Sequence, residues 1–226
     1  MKTERKESPN RTPFWRLWYR IVRNFFAAIL ATTCGIRATG QANIPADGPT
    51  MMMANHASFY DTFVLGIAQQ RMIDFMARSG LFLPVLGPLI KSMGGFPIQR
   101  DGGGAAGVKE TLKRLKIGCL IGLFPEGTRT PDGRLQPLRP GIANIARKSG
   151  SQILCVGIHG AFEAWPRSQP LPGSHPMHVH YEPPLTPEEI AGKTEEELMD
   201  LLRLKLERAM SEAQAAVDRL RDYRLF

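Results

Sequence analysis

An α/β fold, with a mostly parallel central sheet flanked by helices, is what this sequence predicts. Three observations lead there. Short apolar runs alternate with helix-like stretches through the body of the chain, the pattern of strand–helix–strand units. Two of the runs are followed at once by clusters of polar, chemistry-bearing residues, the strand-end position where open α/β sheets place their ligands. And 226 residues, 43% of them hydrophobic, suit one domain with a sizeable core.

In chain order, residues 1–12 are polar and expected to fray. A helical pattern starts at Pro13: Phe14, Leu17, Trp18, Ile21, Val22, Phe25, Phe26 and Ile29 recur at steps of three and four, with Arg16, Arg20 and Arg23 between them. The charge-free stretch Asn24–Ile36 is 13 residues long, whereas a crossing helix needs about 20. The expectation for Pro13–Thr33 is an amphipathic membrane-surface helix, rings in the interface and arginines near phosphates. A signal peptide is disfavoured because no cleavage site with a plausible mature start follows. An ordinary helix covering the core remains the alternative. We accordingly divide the chain into an arm, residues 1–39, and a main domain, residues 40–226.

Strand-like runs in that domain are Thr50–Ala54, Ile73–Ala77, Gly95–Gln99, Gly118–Phe124, Ile153–Ile158 and Met177–Tyr181. Helix-like stretches fall between them at Thr62–Gln70, Ala105–Lys116 and Pro140–Lys148. Leu81–Ile90 is apolar but carries Pro84, Gly87 and Pro88, so a short broken helix is expected. Gly102-Gly103-Gly104 reads as a loop. Thr186-Pro187-Glu188-Glu189 starts a helix with proline at its first position. Thr194 and Glu197 make a capping box for a long C-terminal helix with Leu198, Leu201, Leu202, Met210, Ala213, Val217 and Leu220 along one stripe.

The net charge of +8 favours an anionic partner: nucleic acid, anionic lipid or a phosphorylated substrate. Nucleic acid is set aside, because no zinc-finger spacing, basic heptad helix or aromatic RNA-binding signature is present. Cys34, Cys119 and Cys155 have no framework spacing and read as buried thiols in a reducing compartment. His175, His178 and His180 lack cysteine or acidic ligands at matching spacing, so no metal is expected there.

The chemistry lies in two clusters. In Asn55-His56-Ala57-Ser58-Phe59-Tyr60-Asp61, five helical residues would turn the chain by roughly 140°, so His56 and Asp61 cannot share a helix face. They can meet if His56 sits in the turn before a helix, Ser58 is a candidate N-cap and Asp61 lies in the first turn. An aspartate on one imidazole nitrogen leaves the other to take a proton from a hydroxyl. In Phe124-Pro125-Glu126-Gly127-Thr128-Arg129, Gly127 permits an unusual backbone conformation and Arg129 offers planar donors for a phosphate. Glu126 can hold a hydroxyl or lock Arg129 in place. A plain β-turn would use the same residues.

Both clusters in this order resemble the glycerolipid acyltransferases of the 1-acylglycerol-3-phosphate O-acyltransferase type. Asn55 to Asp61 matches that family's Asn-His-x4-Asp block, and Phe124 to Arg129 its Phe-Pro-Glu-Gly-Thr-Arg block. Gly95-Phe96-Pro97-Ile98-Gln99-Arg100 is similar to a third block, and the likeness extends through Glu163-Ala164-Trp165-Pro166. The resemblance implies that His56 is the general base and Asp61 its partner. It implies a substrate site comprising Asn55, Arg100, Glu126, Gly127, Thr128 and Arg129. It also implies transfer from an acyl-CoA or acyl carrier protein thioester to a lysophospholipid hydroxyl, with no metal or other cofactor, on the cytoplasmic face of the membrane as a peripheral or monotopic protein. Gln99, where an acidic residue is frequent, and Cys155, where a proline is frequent, depart from the pattern. The first of these lies beside the head-group site that the resemblance implies, and it leaves the acceptor open between 1-acylglycerol-3-phosphate, which would give phosphatidate, and another lyso-lipid such as a lyso-ornithine lipid. A hydrolase would need no phosphate-binding arginine, and a non-catalytic lipid-binding protein would not need to keep His56, Asp61, Glu126 and Arg129 together.

Overall fold

Seven strands form one sheet in the computed structural model, which describes residues 12–84, 86–98 and 105–222. They are β1 (Ile36–Thr39), β2 (Thr50–Ala54), β3 (Ile73–Arg78), β4 (Gly95–Ile98), β5 (Leu120–Leu123), β6 (Gln152–His159) and β7 (Met177–Tyr181). Their order across the sheet is β1-β7-β6-β2-β5-β3-β4, and only the β6–β7 pair is antiparallel. The helices are α1 (Pro13–Thr33), α2 (Asp61–Ile67), α3 (Leu86–Ser92), α4 (Ala105–Lys116), α5 (Ile142–Ser149), α6 (Ala161–Ala164), α7 (Pro187–Ala191) and α8 (Glu195–Asp222). The fraying expected for residues 1–12 concerns positions outside the described residues up to residue 11, as do the Gly102–Gly104 loop, Gln99 and Arg100.

Every residue of β2 is buried, because helices cover both sheet faces there. Met52, Ala54, Leu154 and Val156 face one layer, where α2 contributes Val64 and Leu65 and α1 contributes Leu30. Met51, Met53, Ile121 and Cys155 face the other, built from Leu115 of α4, Ala143 and Ala146 of α5, and Leu198, Leu202 and Leu206 of α8. The period-two alternation of side chains feeds two cores from one strand. A Cβ on Gly157 would overlap the backbone of Ala209, so glycine is what lets α8 close onto β6. Both C-terminal helix starts are reciprocal capping boxes: Glu189 N–H donates to Thr186 Oγ1 at 3.2 Å, and Glu197 N–H to Thr194 Oγ1 at 3.2 Å.

Two expectations need correction. The division between residues 39 and 40 falls inside the sheet, because Ile36–Thr39 pairs in parallel with Met177–His180 as the edge strand. Its four residues, one of them Arg37, alternate between half-buried and exposed, too short a pattern to stand out in sequence. The apolar stretch Leu81–Ile90 is not one broken helix: a 3-10 turn at Ser79–Leu81 precedes α3.

Helix α1 covers the core with one face and leaves a second apolar face exposed. Tyr19, Val22 and Leu30 are buried against the body. Trp18 Nε1 donates to Ser92 Oγ of α3 at 2.9 Å, and the Phe26 ring lies 5.2 Å from that of Phe63 on α2. The neighbouring face, with Phe14, Leu17, Ile21, Phe25 and Ile29, is open, Phe14 and Phe25 being 68% and 62% exposed. Among the described residues, no helix is long and apolar enough to cross a membrane.

Candidate active site

Sheet register assembles the site. Strand β2 lies between β5 and β6, with Met53 beside Leu123 and Ala54 beside Val156. All three run parallel, so Asn55-His56, Phe124–Glu126 and Ile158 emerge together at one edge. This is where a parallel sheet offers a crevice to ligands.

Asn55 fixes the turn that leaves β2. Its Nδ2 donates to the Ile158 carbonyl at 3.0 Å and its Oδ1 accepts from the Ile158 N–H at 2.8 Å. With both ends of the amide engaged and 3% of the residue exposed, Asn55 holds β2 to β6 and is not placed to bind substrate. Helix α2 begins at Asp61 itself, and Asp61 Oδ2 accepts from the Ala57 and Ser58 N–H groups at 2.7 and 2.8 Å. That oxygen also meets His56 Nδ1 at 2.7 Å. A carboxylate accepting two N–H bonds on one oxygen calls for Nδ1–H as the third donor. The neutral imidazole therefore carries its proton on Nδ1, and Nε2 has the lone pair. The expected N-cap is also corrected: Ser58 Oγ accepts from the Tyr60 N–H at 3.0 Å and donates to the Trp165 carbonyl at 2.8 Å, tying this turn to the segment after α6.

The second cluster grips the first. Glu126 Oε1 accepts from the His56 N–H at 2.6 Å, and Oε2 from the Gln136 N–H at 2.8 Å. Thr130 N–H donates to the His56 carbonyl at 2.8 Å. Burial pushes the Glu126 carboxyl up from its ordinary value, and the two backbone donors pull the other way. Glu126 is 2% exposed, so it neither reaches a ligand hydroxyl nor locks Arg129; its work is to pin the backbone that carries His56. The His56 ring stacks on Phe124 at 3.9 Å and an interplanar angle of 13°, which fixes its plane.

Gly127 has φ +71°, the left-handed conformation a side chain resists, and a Cβ there would press on Arg139 Nε. Thr128 is exposed at the tip of this turn. Arg129 folds back so that its Cζ lies 3.5 Å from the centroid of Phe59, a cation–π stack that orients the fork. Its Nη1 is buried and has no hydrogen-bond partner among the described residues. Arg100 lies outside the described residues.

The site therefore joins an oriented imidazole and a guanidinium, whose Nε2 and Nη1 have no partner among the described residues, with aromatic walls at Phe59, Tyr60, Phe124 and Trp165. Neither Ser58 nor Cys155 is a free nucleophile: the Ser58 hydroxyl is buried and engaged, and burial holds the Cys155 thiol up to about 12. Sequence reading missed Gln136 and Thr130, which anchor the Glu126–His56 link through backbone N–H groups that any residue type could supply. It also passed over Arg167, two residues beyond Trp165.

Comparison with known proteins bears on the same residues. The family model described as Acyltransferase matches residues 35–159, more than half of the chain. A 1-acyl-sn-glycerol-3-phosphate acyltransferase of Bacillus subtilis is 29% identical over 144 residues, which cover 63% of this chain and 71% of that protein. A chloroplastic enzyme of the same name from Arabidopsis thaliana is 28% identical over 159 residues, but the match spans only 44% of its length. The crystal structure of the 1-acyl-sn-glycerophosphate acyltransferase PlsC from Thermotoga maritima superposes with a TM-score of 0.80, covering 93% of this chain and 86% of that one. At 23% identity, that likeness speaks for the fold.

Proposed function

The chain belongs to the acyltransferase family, and on that premise we propose that it moves a fatty acyl chain from a thioester to the free hydroxyl of 1-acylglycerol-3-phosphate, giving phosphatidate. The observation that carries this reading is the His56–Asp61 pair with Nε2 free, beside an arginine with open donors. His56 Nε2 takes the proton of the acceptor hydroxyl as its oxygen attacks the thioester carbonyl. Asp61 keeps the imidazole in the required tautomer and stabilises the imidazolium. Collapse of the tetrahedral intermediate breaks the C–S bond, and the imidazolium returns the proton to the departing thiolate. Arg129 holds the acceptor phosphate, so the reacting hydroxyl is presented to His56. The donor is an acyl-CoA or acyl carrier protein thioester, and no metal or other cofactor enters the cycle.

Thiol release from an acyl-CoA by purified protein tests this. Release that depends on added 1-acylglycerol-3-phosphate supports it. Release without any acceptor supports a hydrolase, dependence on a lyso-ornithine lipid alone moves the activity to that acceptor, and no release supports a non-catalytic lipid-binding role. At Arg129, substitution by lysine keeps the charge but loses the planar fork and the stack on Phe59. Arg129→Lys should raise the acceptor KM about tenfold and the donor KM much less. An equal rise in both would remove Arg129 from the phosphate site.

We place the protein on the cytoplasmic face of an anionic membrane as a peripheral or monotopic enzyme. The open face of α1 supports this, with Arg16 and Arg20 exposed on the same helix and Leu81, Leu83, Leu86 and Leu89 exposed in and just before α3, which Trp18 of α1 meets at Ser92. Cys34, Cys119 and Cys155 are buried thiols, which supports a reducing compartment. Because α1 also buries core residues, truncating it would damage the fold. The cleaner test is the triple variant Leu17→Gln, Ile21→Gln, Phe25→Gln, which alters exposed positions only. Each buried side chain is worth about 1.5–3 kcal/mol, so vesicle affinity should fall by at least about 10²-fold. High salt should weaken wild-type binding only in part, since it screens arginines but not buried rings. Unchanged co-sedimentation of the triple variant with anionic vesicles would refute this surface.

A further inference from the structure

Two arginines lie on the segments that meet at Phe59 and Trp165, with no carboxylate paired to either among the described residues. One is Arg129. The other is Arg167, brought in by a chain of contacts from the catalytic turn. Ser58 Oγ holds the Trp165 carbonyl at 2.8 Å, and the Trp165 ring lies 4.8 Å from Phe59, the ring on which Arg129 stacks. Gln169 N–H returns to the Pro166 carbonyl at 3.1 Å and Trp165 Nε1 donates to the Gln169 carbonyl at 3.2 Å, so residues 165–169 close into a turn with Arg167 exposed on it. Burial first, and then repulsion from the Arg167 guanidinium, hold the Arg129 guanidinium below its ordinary value; the charge of Asp61 opposes them. Two like charges near enough to repel, one of them with a buried Nη1 that has no partner among the described residues, make an arrangement that a doubly charged anion would relieve.

We propose that Arg167 is a second phosphate-binding residue which, with Arg129, makes the site selective for an acceptor bearing a phosphate monoester. The assignment rests on the acyl-transfer reading above and narrows it. A phosphate monoester carries nearly two negative charges at neutral pH and presents three acceptor oxygens, enough for two guanidinium forks. A phosphodiester head carries one charge. An amino-acid head brings an ammonium group towards two cations, so the same pair of arginines disfavours a lyso-ornithine lipid.

The test compares wild type, Arg167→Gln and Arg167→Lys on a short-chain lysophosphatidate, a short-chain lysophosphatidylglycerol and a lyso-ornithine lipid, with KM and kcat for acceptor and acyl-CoA measured separately. In Arg167→Gln the KM for lysophosphatidate should rise about tenfold, the size of one lost charge-assisted bond, while kcat and the acyl-CoA KM stay within about twofold. The KM for the phosphodiester should rise less, so the preference for the monoester shrinks. Arg167→Lys should fall between, since it keeps charge without the fork. Wild type that acylates lysophosphatidate, with an unchanged acceptor KM in Arg167→Gln, overturns the role of Arg167 alone. A KM rise confined to acyl-CoA overturns it too, by moving Arg167 to the donor's phosphates. Wild type that acylates none of the three acceptors overturns the acyl-transfer reading and this assignment with it.

Discussion

His56→Ala should lower acyl transfer by about 10²–10⁴-fold, the usual worth of a positioned general base, while the thermal unfolding temperature stays close to wild type. The side chain is 21% exposed, and what fixes this turn is backbone: Glu126 Oε1 holds the His56 N–H, and Thr130 N–H holds its carbonyl. Alanine keeps both. Asp61 keeps two of its three donors, the N–H groups of Ala57 and Ser58. The loss should appear in kcat, because nothing in the arrangement makes His56 a binding group for the resting acceptor. A variant retaining more than about a tenth of wild-type turnover would remove the imidazole from the chemistry.

Asp61→Asn should be nearly as damaging, by about 10²–10⁴-fold in kcat, for a different reason. Oδ2 accepts from His56 Nδ1 and from two backbone N–H groups. An asparagine oxygen in that place preserves the acceptor but removes the charge that stabilises the imidazolium. An asparagine NH2 in that place meets three donors and turns the imidazole to the wrong tautomer. Either way Nε2 becomes a poorer base. Circular dichroism and gel filtration would show whether the fold survives, and wild-type kcat in a folded Asp61→Asn protein would contradict the assignment.

The sheet was largely legible because its central strands are continuous apolar runs ended by polar clusters. Thr50–Ala54 and Met177–Tyr181 coincide with β2 and β7. The edge strand β1 was not legible, since an edge needs only one buried face and Ile36–Thr39 is too short to show it. The two clusters were also legible, and Asp61 does open a helix as their spacing required. What spacing could not assign is the division of labour within them. Asn55 and Glu126 are polar residues beside a candidate base, and in sequence they look like ligand-binding groups. In the fold each spends both polar ends on backbone, Asn55 on Ile158 and Glu126 on His56 and Gln136. Buried polar groups must find partners, and here those partners lie on neighbouring strands, which only the sheet order brings together. The dual character of α1 was hidden for a similar reason: one helix carries two apolar stripes, and the pattern alone does not say which of them meets protein.

Direct transfer by His56 from a thioester to the hydroxyl of 1-acylglycerol-3-phosphate is tested most directly by following the acyl group itself. Purified wild type and His56→Ala protein, each given a carbon-13-labelled acyl-CoA and 1-acylglycerol-3-phosphate, would be quenched and the lipids weighed by mass spectrometry. The account predicts labelled phosphatidate from wild type and almost none from His56→Ala. Label in free fatty acid alone, or equal phosphatidate from both proteins, would contradict it.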